Sequence, residues 1–134
     1  PFFAHTEDNF WVEKATQQAE MFGFEMEHVA AVDSFLVENE NVEFGNSRLK
    51  IIHIPGHSPG HVVFYSENDK ILIAGDVLFY GSIGRTDLPG GDYHSLISNI
   101  KNKLFTLPDD TKVYCGHGPE TSLGFEKRTN PFLT

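Results

Sequence analysis

Cysteine is nearly absent. Cys115 is the single one in 134 residues, which excludes an intrachain disulfide and makes a reducing cytosol the simplest compartment. Long apolar runs are missing too: stretches such as "ILIA" at 71–74 fall far short of the roughly 20 residues that a bilayer-spanning helix needs. No charged-then-apolar leader is visible, so the expectation is a soluble, cytoplasmic protein that uses no membrane. There is no basic patch either. The formal net charge is −9 with histidines neutral, which repels nucleic acid and acidic lipid faces and argues against both as partners. Repeats, low-complexity blocks and interdomain linkers are likewise lacking, which leaves residues 1–134 as a single domain.

What is present is core-forming: 40% of the residues are hydrophobic, twelve of them Phe, unlike the composition of a disordered chain. "FFA" at 2–4 reads as a short strand. Trp11, Ala15, Ala19 and Phe22 recur at helical spacing, predicting one helix over 7–22 with Thr6 as its cap and Gly23 as its stop. "NVEF" and "RLKIIHI" flank Gly45-Asn46-Ser47 as a hairpin, and "HVVFYS" and "KILIAG" flank the turn "ENDK" as a second. Leu96, Ile97, Ile100, Leu104 and Phe105 predict a helix over 93–107, stopped by Pro108. "KVYC" at 112–115 is a strand, and a last helix falls at about 121–128. Strands paired first and helices interleaved later predict an α+β or mixed layered domain.

Polar residues at three strand ends share one design. His57 follows "KIIHIPG", Asp76 follows "KILIAG" and His117 follows "KVYCG", each directly after a glycine that permits unusual backbone angles or close approach. Loops at strand ends are where a sheet presents chemistry. Two imidazoles and a carboxylate from separate segments form a ligand set suited to zinc, iron or manganese, whereas each residue alone would equally serve as a hydrogen-bonded structural group. His61 is expected to support the site from behind rather than to ligate. His5, His28, His53 and His94 are assigned to no site. Cys115 reads as a small buried thiol, and Trp11 as core or interface. The glycine-rich "GSIGRTDLPGGD" at 81–92 carries Arg85, whose guanidinium could hold a substrate carboxylate.

"IPGHSPGHVVFY", "IAGDVLFYGSIGRTDLPGGD" and "VYCGHGPETSLGFEKRTNPFL", in this order and spacing, resemble the metallo-β-lactamase superfamily, and within it the compact type II glyoxalase (hydroxyacylglutathione hydrolase) branch. The resemblance runs from "FFAH" to "NPFL". It implies an αββα sandwich with two divalent metal ions at one edge of its sheets, zinc first, with iron or manganese as alternatives. By the same resemblance His57 would ligate the first metal, Asp76 would bridge both as the catalytic carboxylate, and His117 would bind the second. Arg85, nine positions beyond Asp76, would hold a glutathione glycine carboxylate.

The implied reaction is hydrolysis of a small-molecule thioester, a glutathione conjugate such as S-lactoylglutathione, by water activated between the two cations. The family's HxHxDH motif, source of the other metal-site residues, is not found in these 134 residues. The expectation is therefore the C-terminal portion of such a sandwich, truncated and inactive alone, with weak or absent metal binding and an apolar sheet face available for self-association. The alternatives are a persulfide dioxygenase-like enzyme with one iron, or a non-catalytic binding or assembly module that lost the metal motif.

Overall fold

A computed structural model describes residues 1–26 and 29–134; His28 lies outside them. Ten strands are described: β1 (Phe3–His5), β2 (Ser34–Leu36), β3 (Asn41–Phe44), β4 (Ser47–His53), β5 (Val62–Ser66), β6 (Ile71–Gly75), β7 (Leu78–Phe79), β8 (Ser82–Ile83), β9 (Lys112–Cys115) and β10 (Thr121–Ser122). The helices are α1 (Asn9–Glu13), α2 (Ala15–Met21), α3 (Tyr93–Asn99) and α4 (Leu123–Thr129). Six strands form the main sheet in the order β10-β9-β6-β5-β4-β3, while β1-β2 and β7-β8 make separate two-stranded pairs.

Both predicted hairpins form. Phe44 pairs with Ser47 across the two-residue turn Gly45-Asn46, and Ser66 pairs with Ile71. Gly45 takes φ +55, the left-handed setting that tight hairpin turns need. β6 and β9 run parallel, which requires a crossover, and α3 lies on it. Leu96, Ile100 and Leu104 are fully buried with Ile54, Val63, Leu72, Ala74 and Val113 in one core cluster. The helix side of the sheet is thus the core.

Three expectations are corrected. The helix over 7–22 is a 3-10 turn at Thr6–Asp8 followed by α1 and α2, with Lys14 (φ −94, ψ 3) between them; the cap is His5, whose Nδ1 accepts from the Glu7 N–H. The helix over 93–107 leaves α geometry at Ile100 and continues as a π turn to Leu104, where Phe105 N–H donates to the Ile100 carbonyl. Phenylalanine does not build the core. None of the twelve is buried and seven are exposed, so Leu, Ile and Val carry the packing. Ile51, Phe64, Ile73 and Tyr114 lie in register across β4, β5, β6 and β9, and Ile73 and Tyr114 there are 43% and 42% exposed. No helix among the described residues is long and apolar enough to cross a membrane.

Leu96 is fully buried and packs against Gly56, where an added Cβ would overlap it. Truncation at this point leaves a cavity beneath the loop that carries His57. Leu96→Ala is expected to cost about 3 kcal/mol in urea unfolding; a loss below about 1 kcal/mol would show that α3 does not anchor that loop.

Candidate metal centre

The first loop leaves β4 and enters β5. Its backbone is pinned along its length: the Asp92 N–H donates to the Gly56 carbonyl at 2.8 Å, and the Gly56 N–H donates to the Ser58 carbonyl at 3.1 Å. Gly56 sits at φ +139 against Leu96, a position that admits no side chain. His57 emerges here. Its Nδ1 lies 2.8 Å from the Arg85 carbonyl, which can only accept, so Nδ1 carries the proton and Nε2 keeps its lone pair. That Nε2 lies 3.8 Å from Asp76 Oδ2.

Asp76 follows β6, and His117 follows the adjacent β9. The junction is tight: the Gly116 N–H donates to the Gly75 carbonyl at 2.7 Å, and a Cβ on Gly116 would overlap the Asp76 carboxylate. A Cβ on Gly84 would likewise overlap the Asp76 carbonyl. These glycines let neighbouring backbones close on Asp76, Gly116 at its carboxylate and Gly84 at its carbonyl. His117 Nδ1 lies 2.9 Å from Asp76 Oδ1, and its Nε2, on an exposed ring, has no hydrogen-bond partner among the described residues. The two imidazoles therefore address different oxygens of the same carboxylate. His61 sits edge-on to His57 at 5.5 Å between ring centroids, with burial first and then His57 holding its pKa below the usual imidazole range.

Arg85 behaves differently from the expectation for its side chain. Its Nε and Nη2 donate to Asp87 Oδ1 and Oδ2, both at 2.8 Å, so the guanidinium is already engaged bidentately. Its backbone carbonyl is what reaches His57. Cys115, expected as a small buried thiol, is half-buried, and burial raises its thiol pKa.

Two further features carry no signal in the linear sequence. Trp11 and Leu88 line a cavity of about 340 Å³ together with Gln18, His57, Ser58 and His61, which puts the single tryptophan beside the site rather than in the core. Glu126 of α4 is fully buried. It accepts from Thr121 Oγ1 at 2.6 Å, Asn130 Nδ2 at 2.8 Å and the Gly81 N–H, tying the chain end to the loop after Asp76. A second donor group, His5, Glu7 and His53, has ligand atoms within 4.8 Å of one another. Its two imidazoles are stacked at 4.1 Å and 15°, however, and near-parallel rings cannot aim in-plane lone pairs at one point.

The donor chemistry around Asp76 fits divalent cations. It offers a carboxylate with two separately addressed oxygens, an imidazole whose second nitrogen is fixed by a carbonyl, and an exposed imidazole beside it.

A strand-end site on a mixed sheet, closed by glycine-led loops around one carboxylate, places the chain among layered α/β proteins with the metallo-β-lactamase fold. The chain belongs to the metallo-beta-lactamase superfamily, whose sequence profile matches residues 3–117. It is 43% identical over 136 residues to the hydroxyacylglutathione hydrolase GloC of Haemophilus influenzae, covering 97% of this chain and 62% of the relative. Among solved structures, the BLEG-1 B3 metallo-beta-lactamase superposes with a TM-score of 0.89 at 40% identity, covering all of this chain and 65% of that one. TTHA1623 in a di-iron-bound form gives 0.87 at 42% identity, covering 99% and 65%. The chain thus spans a little under two thirds of the length of these relatives.

The Arg85 pair makes a pH prediction. Hydrogen bonding from Arg85 lowers the Asp87 pKa from 3.8 to about 2, so the pairing is complete above the ordinary value and is lost as pH falls through about 2. An NMR titration is expected to find the Asp87 midpoint near 2, and Arg85→Gln to return it to the ordinary carboxylate range. A midpoint near 4 in the unaltered chain would show that the guanidinium is free.

Proposed function

We propose that this chain carries one share of a dinuclear metal centre in a metal-dependent hydrolase, with His57, Asp76 and His117 as ligands and Asp76 as the bridging, catalytic carboxylate. The observation that carries the reading is the Asp76 carboxylate set between His57 Nε2 and His117 Nδ1. Bound divalent cations, zinc first and iron or manganese as alternatives, would supply an acidified water and a polarised substrate carbonyl. The residues' own part is positional. The Arg85 carbonyl holds the His57 tautomer, the Gly75-Gly116 contact fixes Asp76 beside His117, and the cavity by Trp11 and Leu88 offers an apolar wall next to His57.

The substrate class is a small thioester, an S-acyl glutathione such as S-lactoylglutathione. Identity to a hydroxyacylglutathione hydrolase supports it, and a thiolate leaves readily without a dedicated general acid. On this reading Arg85 receives the substrate carboxylate by exchanging Asp87 for it, since both offer the same bidentate geometry. The sheet face bearing Ile73 and Tyr114 is available for self-association, and light scattering that finds only monomer would remove that element.

Three donors hold an ion weakly, because zinc takes four ligands or three plus water. Metal analysis of the isolated chain after gel filtration is expected to find less than one ion per molecule, with negligible S-lactoylglutathione hydrolysis. A version extended upstream to include an HxHxDH segment is expected to hold two ions and hydrolyse the thioester. Two tightly held ions on the isolated chain, or an extended protein that is metal-loaded yet inert toward thioesters and active on a β-lactam, would contradict the reading.

A further inference from the structure

We infer that Asp8 is a positioning residue for the His57 loop, an inference that rests on the reading of His57 as a metal ligand. Asp8 occupies the N-cap position of α1, where an aspartate ordinarily accepts from its own helix. Here it makes no such bond. Its carboxylate instead crosses to a loop fifty residues away, taking the Ser58 Oγ–H at 2.6 Å and the Gly60 N–H at 2.7 Å. α1 forgoes its cap, and the carboxylate is committed to the residues directly after His57.

The fit admits only glycine at the contact. A Cβ on Gly60 would stand 2.6 Å from the Asp8 backbone nitrogen and 2.7 Å from its carboxylate carbon. The turn that presents Asp8 is itself held. His5 Nδ1 accepts from the Glu7 N–H at 3.3 Å, and the His5 ring stacks on His53. His53 Nε2–H in turn donates to the Pro59 carbonyl at 2.8 Å. Segment 5–8 therefore reaches residues 58, 59 and 60 in succession, two of them directly and one through the stacked imidazole. His57 lies between this grip and the Gly56–Asp92 bond, so its backbone is fixed on both sides while the Arg85 carbonyl fixes its ring. Hydrogen-bonding groups behind a ligand commonly set metal affinity by an order of magnitude or more, and Asp8 acts here through the loop rather than on the ring.

The test is nitrogen-15 NMR of the imidazoles in the full 134-residue chain, with a Zn²⁺ titration, for the wild type, D8A, D8N, S58A and S58T. The wild type is expected to show His57 as a single tautomer protonated at Nδ1. D8A and D8N are expected to show mixed tautomers at His57, an unchanged His117 and Zn²⁺ binding weakened about 10-fold. S58A should fall between, and S58T, which keeps the hydroxyl, should match the wild type. If D8A fails to fold, the near-isosteric D8N and the single-bond loss in S58A carry the comparison. A folded D8N with the wild-type His57 signature and unchanged Zn²⁺ titration would overturn the role of Asp8. A wild type in which Zn²⁺ moves neither His57 nor His117 would instead overturn the metal reading, while the tautomer comparison would still decide what Asp8 does.

Discussion

The parallel pairing of β6 with β9 is the constraint on which the rest of the molecule depends. Two strands that leave the sheet side by side and in the same direction deliver their next residues to one place. Gly75 and Gly116, joined by a 2.7 Å hydrogen bond, allow Asp76 and His117 to meet at 2.9 Å. An antiparallel neighbour would send one of them to the opposite edge. Such pairing needs a crossover with something to pack on it. The fully buried Leu96, Ile100 and Leu104 of that crossover thus serve the site as well as the core.

Around that junction the loops act as a nested support. The segment after β4 brings His57 from the other side, and the segment after Asp76 returns through β7 and β8 to offer the Arg85 carbonyl. Glu126 and Asn130 secure that return: Glu126 accepts from the Gly81 N–H, and the Asn130 carboxamide donates to both Glu126 and the Ser82 carbonyl. Buried and hydrogen-bonded several times, this carboxylate is the kind whose removal leaves donors unsatisfied. The "NPFL" end of the chain, which looks remote in sequence, is thereby part of what holds the Asp76 loop.

Much of this was legible in the sequence because its signals are local. A glycine followed by His or Asp at the end of a strand-like run marks a departure from the sheet, and the three such places lie together in the fold. The hairpins were legible from their turn residues, the second within one residue of its bounds. Other features were not, for specific reasons. Arg85 contributes a carbonyl, which no side chain advertises. Asp8 in a first helical turn looks like any cap until its carboxylate is seen to leave the helix. The three-residue β2 is too short to show a period, and the π turn after Asn99 keeps the apolar spacing of an ordinary helix. Phenylalanine was misjudged because hydrophobicity reports preference for burial rather than burial itself.

On the proposed reading, Asp76, His57 and His117 make one cation-binding place. Crystals of the chain soaked in Zn²⁺ and measured at the zinc edge test it most directly. Anomalous density flanking the Asp76 carboxylate, within ligand distance of His57 Nε2 or His117, is the predicted result. Density confined to His5, Glu7 and His53, or none beside Asp76 at saturating metal, would contradict it.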